Sequence, residues 1–247
     1  MTPEVKGRLR RAIAGCLVNP FVDDILDFNW EAIWHYCHGL PIPDPLNETR
    51  KKYLHDAVDA ATGVGWSLKT QQISCAIADC DTYAVVIARA DVFGKGEALG
   101  FPRLSRKSRP GDIGQAVLKL WADKVAADRT TQGVRESRVA TLLKPPKRTE
   151  FGVHETVLRL HATDEVSWAW AESGKGLWGT DKATDRRVYR WYPSGGQLFE
   201  IFDVPKDVVI VSLEWRRLAA EPVLAKLEEL AKVPLEKLVD ERPKGTG

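Results

Sequence analysis

The sequence predicts an α/β protein, α+β in layout: a central mixed β-sheet flanked by helices, with a β-rich C-terminal half. Three observations carry that expectation. Two helix-patterned stretches precede a break at Pro41, Pro43 and Pro45. The run Tyr83–Phe93, YAVVIARADVF, is dense in the β-branched and aromatic residues that fit a central strand. From Val166 onward, short strand-like runs alternate with turn residues. At 247 residues, 44% of them hydrophobic, the chain can bury a substantial core, and no repeat, low-complexity stretch or linker divides it. A single domain is expected over 1–247: a helical part (1–54), a core (55–130) and a β-rich part (131–247).

The elements follow in order. Val5–Val18 sets Leu9, Ile13 and Leu17 among Lys6, Arg8, Arg10 and Arg11, a basic amphipathic helix. Val22–His38 carries Ile25, Phe28, Ile33, Trp34 and Tyr36, with Glu31 among them. A hairpin is expected around Gly63 and Gly65, then the strand at Tyr83. Asp112–Ala127 places Val117, Leu118, Trp121 and Val125 on one helix face, and Asp112 can cap its start. Val139–Leu143 reads as a strand and Phe151–Leu160 as an ordered, strand-like run. Further strands are expected at Val166–Ala171, Leu177–Trp178, Val188–Tyr192, Leu198–Val204 and Val208–Leu213. A helix, Val223–Lys232, and a frayed polar tail from Asp240 close the chain.

Several function classes are excluded. A net charge of +2 does not mark a strongly basic nucleic-acid binder, so any basic surface must be local. No apolar run approaches the ~18–20 residues of a membrane span, and no hydrophobic leader is present. Cys16, Cys37, Cys75 and Cys80 lack paired spacing and point to free thiols in a reducing cytoplasm. His35 and His38 share a helix face, but only Cys75 and Cys80 are on hand to complete a zinc site. Walker, GxGxxG and GxSxG patterns are absent.

Most of the chemistry lies in His55–Thr70, HDAVDAATGVGWSLKT. Alternation puts Ser67 and Lys69 on one face of a strand, Trp66 and Leu68 on the other. A hairpin closing around Thr62–Gly65 brings Asp59 beside Ser67, so that carboxylate, hydroxyl and ammonium meet. An aspartate, a turn and a strand ending in x-Lys resembles the PD-(D/E)XK nuclease motif of many restriction endonucleases. Here Val58 stands in place of the proline and Ser67 in place of the acid, the Ser-x-Lys variant. The resemblance implies a restriction-endonuclease-like fold and Mg²⁺-dependent hydrolysis of DNA phosphodiesters. Asp59, Ser67 and Lys69 would be catalytic, and Asp59 a metal ligand. The second acid would be Glu31 or Asp81, with Asp56 and Asp79 as alternatives; Asp79 and Asp81 also read as turn residues.

Basic side chains supply a DNA footprint: Arg103, Arg106, Lys107 and Arg109 in FPRLSRKSR, Lys147 and Arg148 in KPPKR, and Arg186, Arg187 and Arg190 near Trp191 and Tyr192. Cutting a palindrome implies a homodimer. The competing reading is a non-catalytic DNA-binding or interaction protein in which Asp59 and Lys69 form a structural ion pair.

Overall fold

The computed structural model describes residues 1–42, 53–147, 149–212, 214 and 216–235. Pro43, Pro45, Arg148, Leu213 and the tail from Asp240 lie outside the described residues.

Helix α1 (Pro3–Val18) begins where the Thr2 hydroxyl accepts the Val5 N–H and Pro3 occupies a position that needs no donor. Its Leu9, Ile13 and Leu17, four apart, are buried. Helix α2 (Asp27–His38) starts later than the pattern suggested, because the Asn29 side chain accepts the Leu26 N–H and fixes the entry there. It ends at Gly39, whose φ of 67° lies in the left-handed region that glycine adopts without strain.

Strands β1 (Ala57–Asp59) and β2 (Val64–Gln72) form the expected hairpin. β3 (Thr82–Arg89) is shorter than the run to Phe93, because the Asp91 carboxylate accepts the Gly94 N–H and winds the short α3 (Val92–Lys95). α4 (Pro110–Gln132) outruns its predicted length at both ends, from Pro110 in its first turn to Gly133 at its left-handed end. Asp112 does not cap it; its carboxylate holds the Arg109 guanidinium. There follow β4 (Glu136–Lys144), β5 (Glu150–Val157), β6 (Val166–Trp170), β7 (Leu177–Asp181), β8 (Arg186–Tyr192), β9 (Gln197–Asp203), β10 (Val209–Ser212) and α5 (Ala220–Ala231).

The strands make two sheets rather than one central sheet. The first runs β1-β2-β4-β5-β10, with β2 and β4 parallel and the other pairs antiparallel. The second runs β3-β9-β8-β7-β6 and is antiparallel throughout. The mixed α and β class is as expected, and the C-terminal half is rich in β-strands.

Strand β4 shows that the first sheet is covered on both faces. Its Ala140 and Leu142 join the core beneath α1 and α2, while Val139 and Leu143 join the core shared with α4 and the second sheet. A strand covered on both faces reads as a continuous apolar run, and each fully buried Leu contributes about 1.5–3 kcal/mol. Buried tryptophans lock the layers by donating to backbone carbonyls: Trp30 Nε1 to Ala140 O at 3.1 Å, and Trp191 Nε1 to Ala90 O at 2.9 Å. Among the described residues no helix is long and apolar enough to cross a membrane.

Candidate active site

The hairpin closes three positions earlier than Asp59-to-Ser67 pairing requires. Ala57 pairs with Trp66, Val58 with Gly65 and Asp59 with Val64. The cause is the turn between the strands. Gly63, at φ 69°, donates its N–H to Asp59 O at 2.8 Å. The Asp59 carboxylate accepts from Ala61 N at 2.9 Å and from the Thr62 hydroxyl at 2.7 Å. The Thr62 hydroxyl and these backbone donors hold the Asp59 carboxyl below the usual carboxylate range. Asp59 therefore closes a turn, and it is not the ion-pair partner of Lys69.

That partner is Asp56. Its N–H donates to Trp66 O at 2.8 Å, and its Oδ2 accepts the Leu68 N–H at 2.7 Å and stands 3.7 Å from Lys69 Nζ. Burial pushes the Asp56 carboxyl up, and the Lys69 charge and the Leu68 N–H oppose that shift. Both side chains stay about a quarter exposed, 25% for Asp56 and 27% for Lys69, so solvent reaches the pair. Alternation along β2 is as expected, with Trp66 and Leu68 in the α1/α2 core. Ser67, on the opposite face with Lys69, is buried at 3% exposure.

A second acid arrives from α2. Asp27 Oδ1 accepts from Thr70 N at 3.2 Å and from the Thr70 hydroxyl at 2.7 Å. Asp56 and Asp27 thus satisfy the Leu68 and Thr70 N–H groups beyond the end of short β1, on the side of β2 away from β4. Asp27 is close enough to raise the Asp56 carboxyl further. Helix α2 also holds the backbone here, since His35 Nε2 lies 3.1 Å from Asp56 O. From the other side, Asp128 of α4 accepts the Leu54 N–H at 2.9 Å, and His55 sits between Gln132 (2.8 Å) and Ser137 (2.9 Å). Burial lowers the His55 ring below its usual value, so it serves as a neutral bridge.

The other acids differ in placement. Glu31 lies one turn beyond Asp27 on α2 and is half-buried. Asp81 is exposed at the foot of β3, in the second sheet, and its carbonyl accepts the Val204 N–H. Asp79 ends a single 3-10 turn, Ile77–Asp79. Among the described residues no group of three or more His, Cys, Asp and Glu is gathered to hold a metal. Magnesium is commonly held by one or two carboxylates together with substrate phosphates, and the oxygen donors of Asp56 and Asp27 suit it.

The basic residues fall into distinct environments. Arg103, Arg106 and Lys107 are exposed and make no ion pair among the described residues, while Leu104 anchors their loop in the core. Arg109 is engaged by Asp112 at 2.9 and 3.0 Å. Lys147 is exposed just beyond β4. Arg186 is paired with Asp203. Arg187 and Arg190 each lie 4.5 Å from the Trp178 ring, and Arg190 is as close to Tyr192. This aromatic ladder occupies a different sheet from Asp56 and Lys69.

Two polar features carried no sequence signal, the exposed Asp27 and the buried Glu200. Asp27 lies at a helix start, where an acid is commonplace. Glu200 is 5% exposed, and its Oε2 has no hydrogen-bond partner among the described residues. Burial pushes its carboxyl up to about 8, opposed by Arg159. No protein-family model, curated protein or solved structure matches this chain.

Proposed function

We propose that the chain is a magnesium-dependent endonuclease of double-stranded DNA, resembling the Ser-x-Lys form of PD-(D/E)XK restriction enzymes. The observation that supports it most is the half-open Asp56–Lys69 pair, 3.7 Å apart, on the β1/β2 hairpin that carries the motif. In this reading Asp56 takes the role first expected of Asp59, and Asp27 is the second acid, with Glu31 one turn further along the same helix. Asp56 and Asp27 would hold Mg²⁺, which when bound polarises the scissile phosphate and lowers the pKa of an attacking water.

The chain's own groups do the rest. Lys69 opposes the upward push of burial on the Asp56 carboxyl and would offer an ammonium to the charge that builds on the phosphate. Ser67, buried beneath the pair, supports the strand rather than touching substrate. Arg103, Arg106 and Lys107 neutralise backbone phosphates. Arg187 and Arg190, each 4.5 Å from the Trp178 ring, would present donors for base edges. A symmetric dimer would match a palindromic site. The free thiols Cys16, Cys37, Cys75 and Cys80 fit a reducing compartment such as the cytoplasm.

The second reading, a non-catalytic DNA-binding protein, is favoured by one fact. Asp56 and Asp27 already have structural work in satisfying an open strand edge. Incubation with mixed plasmid and phage DNA, in Mg²⁺ and in EDTA, separates the two. Discrete fragments that require Mg²⁺ and disappear in Asp56→Ala support the nuclease. DNA retarded but uncut in every condition supports the binding protein.

A further inference from the structure

The second sheet turns one face to the core and the other toward solvent. Leu177, Tyr189, Trp191 and Leu198 point into the core, on the side where the Trp168 ring packs beside Gly114 of α4. On the other face, cross-strand pairing sets Ala169, Trp178, Arg190, Phe199 and Val86 in one row across all five strands. None of these five is fully buried, and Trp178, Phe199 and the neighbouring Tyr192 belong to neither core.

A β-bulge completes the charge of this face. Gly179 pairs with Tyr189 but Thr180 pairs with Arg187, so Val188 is an extra residue on β8. In a regular strand Arg187 and Arg190, three positions apart, would lie on opposite faces; the bulge puts both on the Trp178 face. Each guanidinium lies 4.5 Å from the Trp178 ring, and Arg190 lies as close to Tyr192. The Tyr192 ring in turn meets Phe199 edge-on at 5.6 Å. Neither arginine has an ion-pair partner among the described residues, and Asp203, an acid further along β9, is held by Arg186.

The ligand chemistry that fits is planar and anionic. Ring faces and guanidinium planes stack on nucleobases, and the two charges attract the phosphates that join them. The width of the sheet decides which form of nucleic acid can reach them. Five strands about 4.8 Å apart span about 19 Å, more than the ~12 Å major groove of a duplex. A duplex also keeps its base faces stacked on one another, whereas an unpaired strand can lay its bases on rings.

We propose that the outer face of the second sheet binds single-stranded DNA, with Trp178, Tyr192 and Phe199 as stacking rings and Arg187 and Arg190 as the cations for its bases and phosphates. The choice of DNA rests on the proposed function; the stacking surface does not. This face would hold a strand where a duplex is parted, the form in which Arg187 and Arg190 come within reach of base edges.

The test measures the anisotropy of a labelled oligothymidine of about 15 nucleotides, against a duplex and an RNA strand of the same length. EDTA is present throughout, so failure of the nuclease reading leaves the result standing. The single strand is expected to bind about tenfold or more tighter than the duplex, and at least as tightly as the RNA. Trp178→Ala should weaken it about fivefold or more, the scale of losing one stacked base, while Trp178→Phe keeps most of the affinity. Arg187→Ala should lower the slope of log affinity against log salt by about 0.7, the value for one phosphate on a single strand. An oligomer carrying iodinated deoxyuridine should crosslink to Trp178, Tyr192 or Phe199 on irradiation, which tests the wild type directly should Trp178→Ala fail to fold. Absent binding, tighter binding of the duplex or the RNA, crosslinks confined to other surfaces, or unchanged affinity in folded Trp178→Ala overturns the proposal. So does a chain that binds no strand but loses self-association in Trp178→Ala, which would place a second copy on this face.

Discussion

The Oδ2 atom of Asp56 accepts the Leu68 N–H at 2.7 Å and forms an ion pair with Lys69 Nζ at 3.7 Å, while its Oδ1 makes no hydrogen bond among the described residues. That asymmetry leaves one carboxylate oxygen available on a side chain that the strand edge already holds rigid. A carboxylate positioned by its own strand is well placed to hold an ion, because little ordering remains to be done on binding.

Asp56→Asn keeps an oxygen that can accept the Leu68 N–H and removes only the charge. The variant should fold as the wild type does, while Mg²⁺-dependent cleavage falls about 100-fold or more. Lys69→Ala should lower cleavage on a similar scale and leave DNA affinity nearly unchanged. Asp59→Ala, which loosens a turn, should keep cleavage within a few-fold and lower the thermal midpoint. Equal cleavage by Asp56→Asn and Asp59→Ala would remove Asp56 from the site.

Glu200 makes stability fall as pH rises. Its carboxyl titrates near 8 when folded, far above a free glutamate, so the folded chain keeps a proton that the unfolded chain has lost. Its contribution is complete below the unfolded value and is lost as pH climbs through about 8. The slope across that window is up to about 1.4 kcal/mol per pH unit. Glu200→Gln mimics the protonated acid. In urea unfolding it should exceed the wild type at pH 7.5, by a margin that shrinks toward pH 5.5. A constant margin would place the proton elsewhere.

The sequence revealed strands and helices where periodicity was strong, as in α4 and in β2, whose Trp66/Leu68 and Ser67/Lys69 faces follow from alternation alone. It did not reveal the hairpin register, because that depends on how Asp59 and Thr62 satisfy the turn between the strands. A shift of three positions replaced Asp59 with Asp56 beside Lys69. Nor could it separate the strands into two sheets, since the pairing of β3 with β9 joins residues more than a hundred positions apart. Asp27 was invisible for the same reason, its partner Thr70 being forty-three residues away.

The packing of α4 on the second sheet depends on Gly114. A Cβ built there would sit 2.2 Å from the Trp168 ring, and that ring stacks on Tyr189 in the core. Gly114→Ala gains helix propensity, yet overpacking typically costs about 1–3 kcal/mol, more than propensity returns. A net loss of stability in denaturant is therefore expected. By contrast, Gly111→Ala, on the same helix with nothing within 4 Å, should be neutral or stabilising. If both substitutions stabilised the protein, α4 would not be docked through Gly114.

The loop before α4 offers a last test, in which two kinds of arginine should behave differently. Arg103, Arg106 and Lys107 are exposed with no ion pair among the described residues, whereas Arg109 is held by two bonds to Asp112. Each phosphate neutralised adds about 0.9 to the slope of log affinity against log salt on duplex DNA. Replacing Arg103, Arg106 and Lys107 together with alanine should therefore reduce that slope by up to about 3. Arg109→Ala should change it much less, because its guanidinium must leave Asp112 before meeting a phosphate. The measurement is DNA affinity at several salt concentrations. An unchanged slope in the triple variant would take this loop out of the footprint and leave the exposed Arg187 and the half-buried Arg190 on the other sheet among the contacts still to test.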